Sequence, residues 1–174
     1  MPALPQKYDF RTVEPAIQAA WDASGVYHFD PTHPGDAYLV DTPPPTVSGR
    51  IHVGHVYSYT QADIMIRYHR MQGRNVFYPF GFDDNGLPTE VFTENNRGVR
   101  AREIGRRAFI EACLGLSHEV EDQFERFWKR LGLSVDWRLR YSTIDERSRR
   151  VSQSAFLHLH NTGSAYPPEA PTPW

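Results

Sequence analysis

Two histidines three residues apart, His52 and His55, stand at the start of a helical pattern, directly after a Pro-Pro-Pro-Thr-Val-Ser-Gly stretch at residues 43–49. Residues three apart on a helix share a face, so both imidazoles can address one object. A helix N-terminus carries partial positive charge worth about 0.3–1 kcal/mol toward an anion, and its unpaired N–H groups make it a phosphate site. Two imidazole donors there can hold triphosphate oxygens and stabilise charge that grows on an attacked phosphorus. Gly54 lies between them, and its missing side chain lets a flat group such as adenine approach the backbone. The same spacing also arises on helix surfaces that bind nothing, and the residues alone leave both readings open. A metal role is disfavoured: two histidines and the single, distant Cys113 do not make a four-ligand zinc set, and His158 and His160 are two apart, so they face differently on a helix. We therefore expect no protein-held metal.

A second polar cluster, Gly81-Phe82-Asp83-Asp84-Asn85-Gly86, has two readings of its own. Adjacent carboxylates in a Gly-flanked loop are ordinary turn formers. At the end of a strand beside an anion-binding helix, one of them can instead pair with a cationic substrate group through a charge-assisted hydrogen bond.

These clusters need elements to hold them. Residues 37–42 read as a short buried strand leading into the prolines. The helix beginning near Ile51 shows an apolar stripe of Val53, Tyr57, Thr60, Ile64, Tyr68 and Met71, with Gly73 as its stop. Asn75-Val76-Phe77-Tyr78 reads as a second buried strand ended by Pro79. Strand, helix, strand in that order predicts a right-handed parallel crossover and an open α/β sheet, with its site at the carboxyl ends of the strands. Both polar clusters fall there.

Around this unit, residues 1–12 read as an extended arm and 13–23 as a short amphipathic helix carrying Val13, Ile17 and Trp21, ended by Gly25. Beyond Glu90, the stripe Phe109, Cys113, Leu116, Val120, Phe124, Phe127 and Leu131 is helical, with Gly115 and Ser117 expected to divide it into two helices. Leu133–Tyr141 reads as mixed loop. Thr143-Ile144-Asp145-Glu146 has capping-box spacing and predicts a last helix that turns Val151, Ala155 and Leu159 inward and ends by Gly163. This divides the chain into an arm and helix (1–36), the α/β unit with added helices (37–165) and an extended tail (166–174).

Composition narrows the class. A chain of 174 residues suits one domain, long enough to bury roughly 70% of its unfolded surface. A formal net charge of -2 argues against a basic nucleic-acid module. One cysteine excludes an intramolecular disulfide and fits a reducing cytosol. The N-terminus lacks the apolar core of a signal peptide, and no apolar run is long enough to span a bilayer. A cytoplasmic location is the expectation.

Together the two clusters are recognisable. Pro43 to Gly49 followed by His52-Val53-Gly54-His55 resembles the HIGH signature of the class I aminoacyl-tRNA synthetases, and Phe80 to Glu90 looks like that family's other N-terminal motif. In detail the pair is most similar to the valyl-tRNA synthetases, in the form found in archaea and some bacteria. Residues 128–137 and 143–150 fit the same enzymes, so the resemblance covers nearly the whole chain. It implies the first half of a Rossmann-like nucleotide-binding fold plus additional helices. It also implies ATP-dependent formation of valyl-adenylate, with Mg2+ accompanying ATP, and transfer of the valyl group to tRNA. Carried over by residue, the resemblance implies that His52 and His55 contact ATP phosphates and act in catalysis, with Gly54 against the adenine. The resemblance likewise implies that Asp83 binds the α-ammonium and that Pro44, Pro45 and Thr46 line the amino-acid pocket.

There are departures. Asp84 stands where some members have histidine, Phe82 replaces an expected tryptophan, and Arg50 sits where a small residue is more usual. The resemblance further implies that complete enzymes run several times longer, into an editing insertion, the second half of the fold and an anticodon-binding domain. Their lysine-bearing KMSKS loop lies in that part. Lys7 and Lys129 are the only lysines here, and neither sits in a comparable sequence. The chain is thus expected to carry binding residues with incomplete chemistry. The alternative is a free-standing relative that binds nucleotide, adenylate or a protein partner without charging tRNA. Half a parallel sheet leaves an edge strand unpaired, which predicts self-association or pairing with a complementary half. The arginines at 97–107 and 147–150 offer only a weak tRNA surface, since neighbouring glutamates can balance them.

Overall fold

The computed structural model describes residues 7–167. The first half of the expected arm (1–6) and most of the expected tail (168–174) lie outside the described residues.

The strand–helix–strand unit is present. Strand β1 (Ala37–Leu39) runs parallel to β2 (Asn75–Phe77), with Tyr38 opposite Val76. The helix α2 (Val53–Met71) connects them. Two further strands, β3 (Phe80–Phe82) and β4 (Arg140–Ser142), also pair in parallel, with Gly81 opposite Tyr141. The sheet is therefore in two pieces where sequence reading expected one, and Pro79 marks the division. It has no N–H to donate to a ladder, so the stretch that pairs with β1 before it pairs with β4 after it. The expected mixed loop at 133–141 thus ends in a strand, preceded by a 3-10 turn over Trp137–Leu139.

The helix α1 (Phe10–Ser24) starts three residues earlier than expected because Asp9 caps it, its carboxylate accepting from the Arg11 N–H at 3.1 Å. The short helices α3 (Leu87–Arg97) and α4 (Ala101–Ile104) lead into α5 (Arg106–Leu131), which is continuous. Gly115 and Ser117 do not divide it. A helical glycine costs about 1 kcal/mol relative to alanine, while burying one leucine- or valine-sized side chain recovers roughly 1.5–3 kcal/mol. Leu116, Val120, Phe124 and Trp128 are all buried on this one stripe. With Tyr78, Phe80, Phe82, Ile66 and Val135 they make up most of the core.

Three expected faces are wrong. The first strand, expected to be buried, is exposed at Ala37 and at Leu39 (69%) and half-buried at Tyr38. On α2 the residues turned inward are Tyr59, Asp63 and Ile66, whereas Val53, Tyr57 and Met71 are 83%, 66% and 80% exposed. The apolar stripe points outward because a charged residue occupies the inward one. Asp63 is buried with its partners: Ser134 donates from N–H (2.7 Å) and Oγ (2.6 Å) to Oδ1, and Arg67 Nε donates to Oδ2 at 2.6 Å. Arg70 completes the weld, donating at 2.7 Å to both the carbonyl and the Oγ of Ser134. The last helix, α6 (Glu146–Asn161), buries no residue, so Val151, Ala155 and Leu159 are exposed instead of turned inward. Its cap is Asp145, which accepts from the Ser148 N–H at 2.7 Å, and not Thr143.

Candidate active site

His52 is the N-cap of α2, in extended conformation. Its Nδ1 accepts from the Gly54 N–H at 3.1 Å, and the Nδ1 of His55 accepts from the His52 N–H at 3.3 Å. This is a capping box built from two histidines, with ring centroids 4.0 Å apart. Its chemical consequence is tautomeric. With both Nδ1 atoms accepting, each neutral ring carries its proton on Nε2 and presents it as a donor. Burial, and then the neighbouring His52, lower the pKa of His55 and hold that ring neutral.

The two rings and Gly54 line a cavity of about 450 Å³ with Thr42, Pro43, Ser58 and Tyr59. A side chain at Gly54 would put its Cβ 2.9 Å from His52 Cε1, so this glycine keeps the capping ring in place. Tyr59, one turn beyond His55 on the same face, donates its hydroxyl to the Pro43 carbonyl. Its ring packs on Trp128 at 4.8 Å between centroids. Burial pushes its pKa up to about 12, so the hydroxyl stays protonated and the proline segment stays pinned to α2. Sequence reading missed Thr42, Pro43, Ser58 and Tyr59. For Tyr59 a signal existed, since it lies four residues past His55.

The second motif reaches the first through backbone. Thr46 and Asp83 form a parallel bridge in which the Asp83 N–H donates to the Pro45 carbonyl at 2.9 Å and the Val47 N–H to the Asp83 carbonyl at 3.1 Å. Asp83 is half-buried, and its Oδ1 accepts from the Asn85 N–H (3.2 Å) and Thr143 Oγ1 (3.3 Å). Pro45 is buried, while Pro44 is half-buried and Thr46 exposed. Thus the cavity gathers His52, Gly54 and His55, whereas Pro44, Pro45, Thr46 and Asp83 lie on the adjoining ladder and do not line it. Arg50 is exposed. Among the described residues, no group of three or more His, Cys, Asp or Glu is placed to hold a metal ion.

The description "tRNA synthetases class I (I, L, M and V)" matches residues 16–174. The chain belongs to this family. It is 46% identical over 175 residues to the valine–tRNA ligase of Rickettsia akari, covering 100% of this chain and 22% of that protein. It is 47% identical over 193 residues to that of Thermobifida fusca, covering 98% of this chain and 22% of the relative. The chain thus spans about a fifth of the length of the curated synthetases it matches. The fold is similar to the LeuRS of Agrobacterium radiobacter, solved in a ternary complex with tRNA and LeuAMS. The TM-score is 0.77 at 27% identity, over 90% of this synthetase chain and 18% of that one.

Of the arginines that offered a weak tRNA surface, Arg97, Arg100, Arg107 and Arg150 pair with Glu119, Glu94, Glu111 and Glu146. No helix of the described residues is long and apolar enough to cross a membrane.

Proposed function

We propose that this chain forms the ATP- and valine-binding wall of a valine-activating site. Valine's carboxylate oxygen attacks the α-phosphorus of ATP, and the bond to the bridging oxygen breaks. Valyl-adenylate forms and pyrophosphate leaves with Mg2+, which enters as the ATP complex. His52 and His55 donate from Nε2 to phosphate oxygens at the positive end of α2, and Gly54 lies against the adenine. Asp83 holds the α-ammonium, and Pro44, Pro45 and Thr46 bound the side-chain pocket. In the complete enzyme the valyl group passes to tRNA, in the cytosol. The observation that carries this reading is the double-histidine cap facing a cavity of about 450 Å³, one backbone bridge away from Asp83.

The test is valine-dependent exchange of pyrophosphate into ATP. Loss of one preorganised donor of this kind costs about 10²–10³ in rate, so His55→Ala should lower exchange by that factor. Asp83→Ala should act chiefly on the valine KM. Exchange stimulated by a different amino acid, or undiminished in both variants, would overturn the assignment.

A second reading is favoured by the exposed apolar faces of α2 and α6. In it, the chain associates with itself or with a complementary half, and binds nucleotide or adenylate without charging tRNA. ATP binding without exchange, together with association in sedimentation at tens of micromolar, would select it. A sharply monomeric profile would count against it.

A further inference from the structure

One side chain, Thr143, touches both Asp83 and Asp84, and the proposed reaction gives it no part. Thr143 directly follows β4 and is half-buried. Its N–H donates to the Phe82 carbonyl at 3.0 Å, which carries the β3–β4 ladder one step further. Its hydroxyl lies between the two aspartates. The Asp84 N–H donates to Thr143 Oγ1 at 3.1 Å, and Oγ1 donates to Asp83 Oδ1 at 3.3 Å. The neighbouring Ser142 is anchored too: its Oγ donates to Asp84 Oδ2 at 2.5 Å, and its N–H to Asp145 Oδ2 at 3.2 Å. Asp145 is the cap of α6, so the turn that carries Thr143 is held at both ends.

A hydroxyl has one proton and two lone pairs, and an ionised carboxylate can only accept. The Asp84 N–H occupies a lone pair of Thr143, so the hydroxyl proton is directed to Asp83 Oδ1. The Asn85 N–H donates to the same oxygen at 3.2 Å. A carboxylate oxygen takes about two donors, so Oδ1 is filled. Among the described residues, nothing donates to Oδ2.

We propose that Thr143 is a positioning residue for Asp83: its directed hydroxyl fills Oδ1, fixes the carboxylate and leaves Oδ2 alone to meet a cationic group of the substrate. A single open oxygen suits a compact ammonium, whereas a guanidinium fork is matched by two oxygens. The site therefore selects an amine. That the amine is valine's rests on the function proposed above; the fixing of Asp83 does not. At 3.3 Å the hydroxyl contact is long, and contacts of this kind tighten when substrate binds.

The experiment is NMR on the whole chain. Scalar couplings across the Asp83 Cα–Cβ bond report its χ1 rotamer with neither valine nor ATP present, and titrations with each then give the two affinities. Wild type should show one Asp83 rotamer. Thr143→Val keeps the shape and removes the hydroxyl, so the couplings should move to averaged values. Valine affinity should fall about tenfold, the worth of one hydrogen bond, while ATP affinity stays. Thr143→Ser keeps the hydroxyl and should restore both readouts. A packing role would give the reverse order, since Val keeps the methyl and Ser loses it. If Thr143→Val fails to fold, Thr143→Ala, which leaves room for a water on the Asp84 amide, takes its place. An averaged Asp83 side chain in wild type, or one rotamer in every variant, would overturn the proposal. So would a valine affinity lowered by Asp83→Ala and untouched by Thr143→Val. A rotamer lost with the hydroxyl, with valine affinity untouched by Asp83→Ala, would uphold the positioning and remove the assignment of Asp83 to valine.

Discussion

Gly81 sits in the middle of β3, opposite Tyr141 of β4, and the phenol lies across it. A Cβ built at position 81 would fall 2.3 Å from Tyr141 Cζ and 2.6 Å from its hydroxyl oxygen, against ordinary contact at 3.4–4 Å. The backbone there does not require a left-handed φ, so the cost of Gly81→Ala is steric. The ring must retreat by about 1 Å or the two strands must part; overpacking of this size costs about 1–3 kcal/mol. For a chain of this length that lowers Tm by about 2–4 °C per kcal/mol. Thermal unfolding followed by circular dichroism should therefore show a drop of about 2–12 °C. The decisive comparison is the double variant Gly81→Ala/Tyr141→Ala. Removing the ring also removes the clash, so the two changes should couple favourably by about 0.5–3 kcal/mol. A Gly81→Ala protein melting within a degree of wild type, or strictly additive changes in the double variant, would refute the claim that the tyrosine dictates the glycine.

Other perturbations follow from the buried polar groups. Asp63→Ala strands the donors of Ser134 and Arg67 inside the fold, and urea denaturation should register a loss of about 3–5 kcal/mol, far more than an average substitution. Tyr59→Phe keeps the ring and deletes only the hydroxyl donated to Pro43, so it should cost about 0.5–1.5 kcal/mol and raise amide exchange in residues 42–46. Burial alone would raise the pKa of Asp136, but hydrogen bonds from Arg138 and from the N–H groups of Phe29 and Arg138 outweigh it and hold the carboxyl below its usual value. The sign for a depressed acid is that its contribution is present above the unfolded pKa and lost as pH falls through the folded one. The stability gap between wild type and Asp136→Asn should therefore narrow below about pH 4, and a gap constant down to acid unfolding would contradict this.

The parts of the fold legible in the sequence were those signalled by local grammar. The β1–α2–β2 order followed from two apolar runs flanking a helical segment, and Gly25 and Gly73 marked real ends. The inward face of α2 was not legible, because periodicity read from apolar residues alone assigns Asp63 to water. Only the distant Ser134 explains its burial, across 71 residues of sequence. The strand β4 was hidden for a related reason: Arg140-Tyr141-Ser142 has no apolar alternation, and its place depends on pairing with β3 and on the acidic face of α5. At the site, His52, Gly54 and His55 were found together because a helix cap is local. The cavity's other residues and the ladder to Asp83 come from tertiary contacts.

The adjacent carboxylates Asp83 and Asp84 show how strand geometry divides chemistry between neighbours. Along β3 successive side chains point to opposite faces. Phe80 and Phe82 lie on the core side, with Phe80 packed near Tyr59, Trp128 and Trp137, and Gly81 lies on the other, under Tyr141. The alternation carries past the end of the strand because the Thr46 bridge keeps Asp83 extended. Asp84 therefore shares the face of Phe82 and is driven into the interior, where Ser142 Oγ donates to its carboxylate. Asp83 shares the face of Gly81 and stays half-buried, its carboxylate accepting from the Asn85 N–H and from Thr143 Oγ1. A one-residue slip of register would exchange these roles. It would bury the group proposed to meet a substrate and expose the one that anchors the loop. The contact between Gly81 and Tyr141 resists that slip, because no other residue of β3 leaves room for the ring. Stability at position 81 and ligand geometry at position 83 are thus one constraint, and a substitution that relieves the first should blur the second.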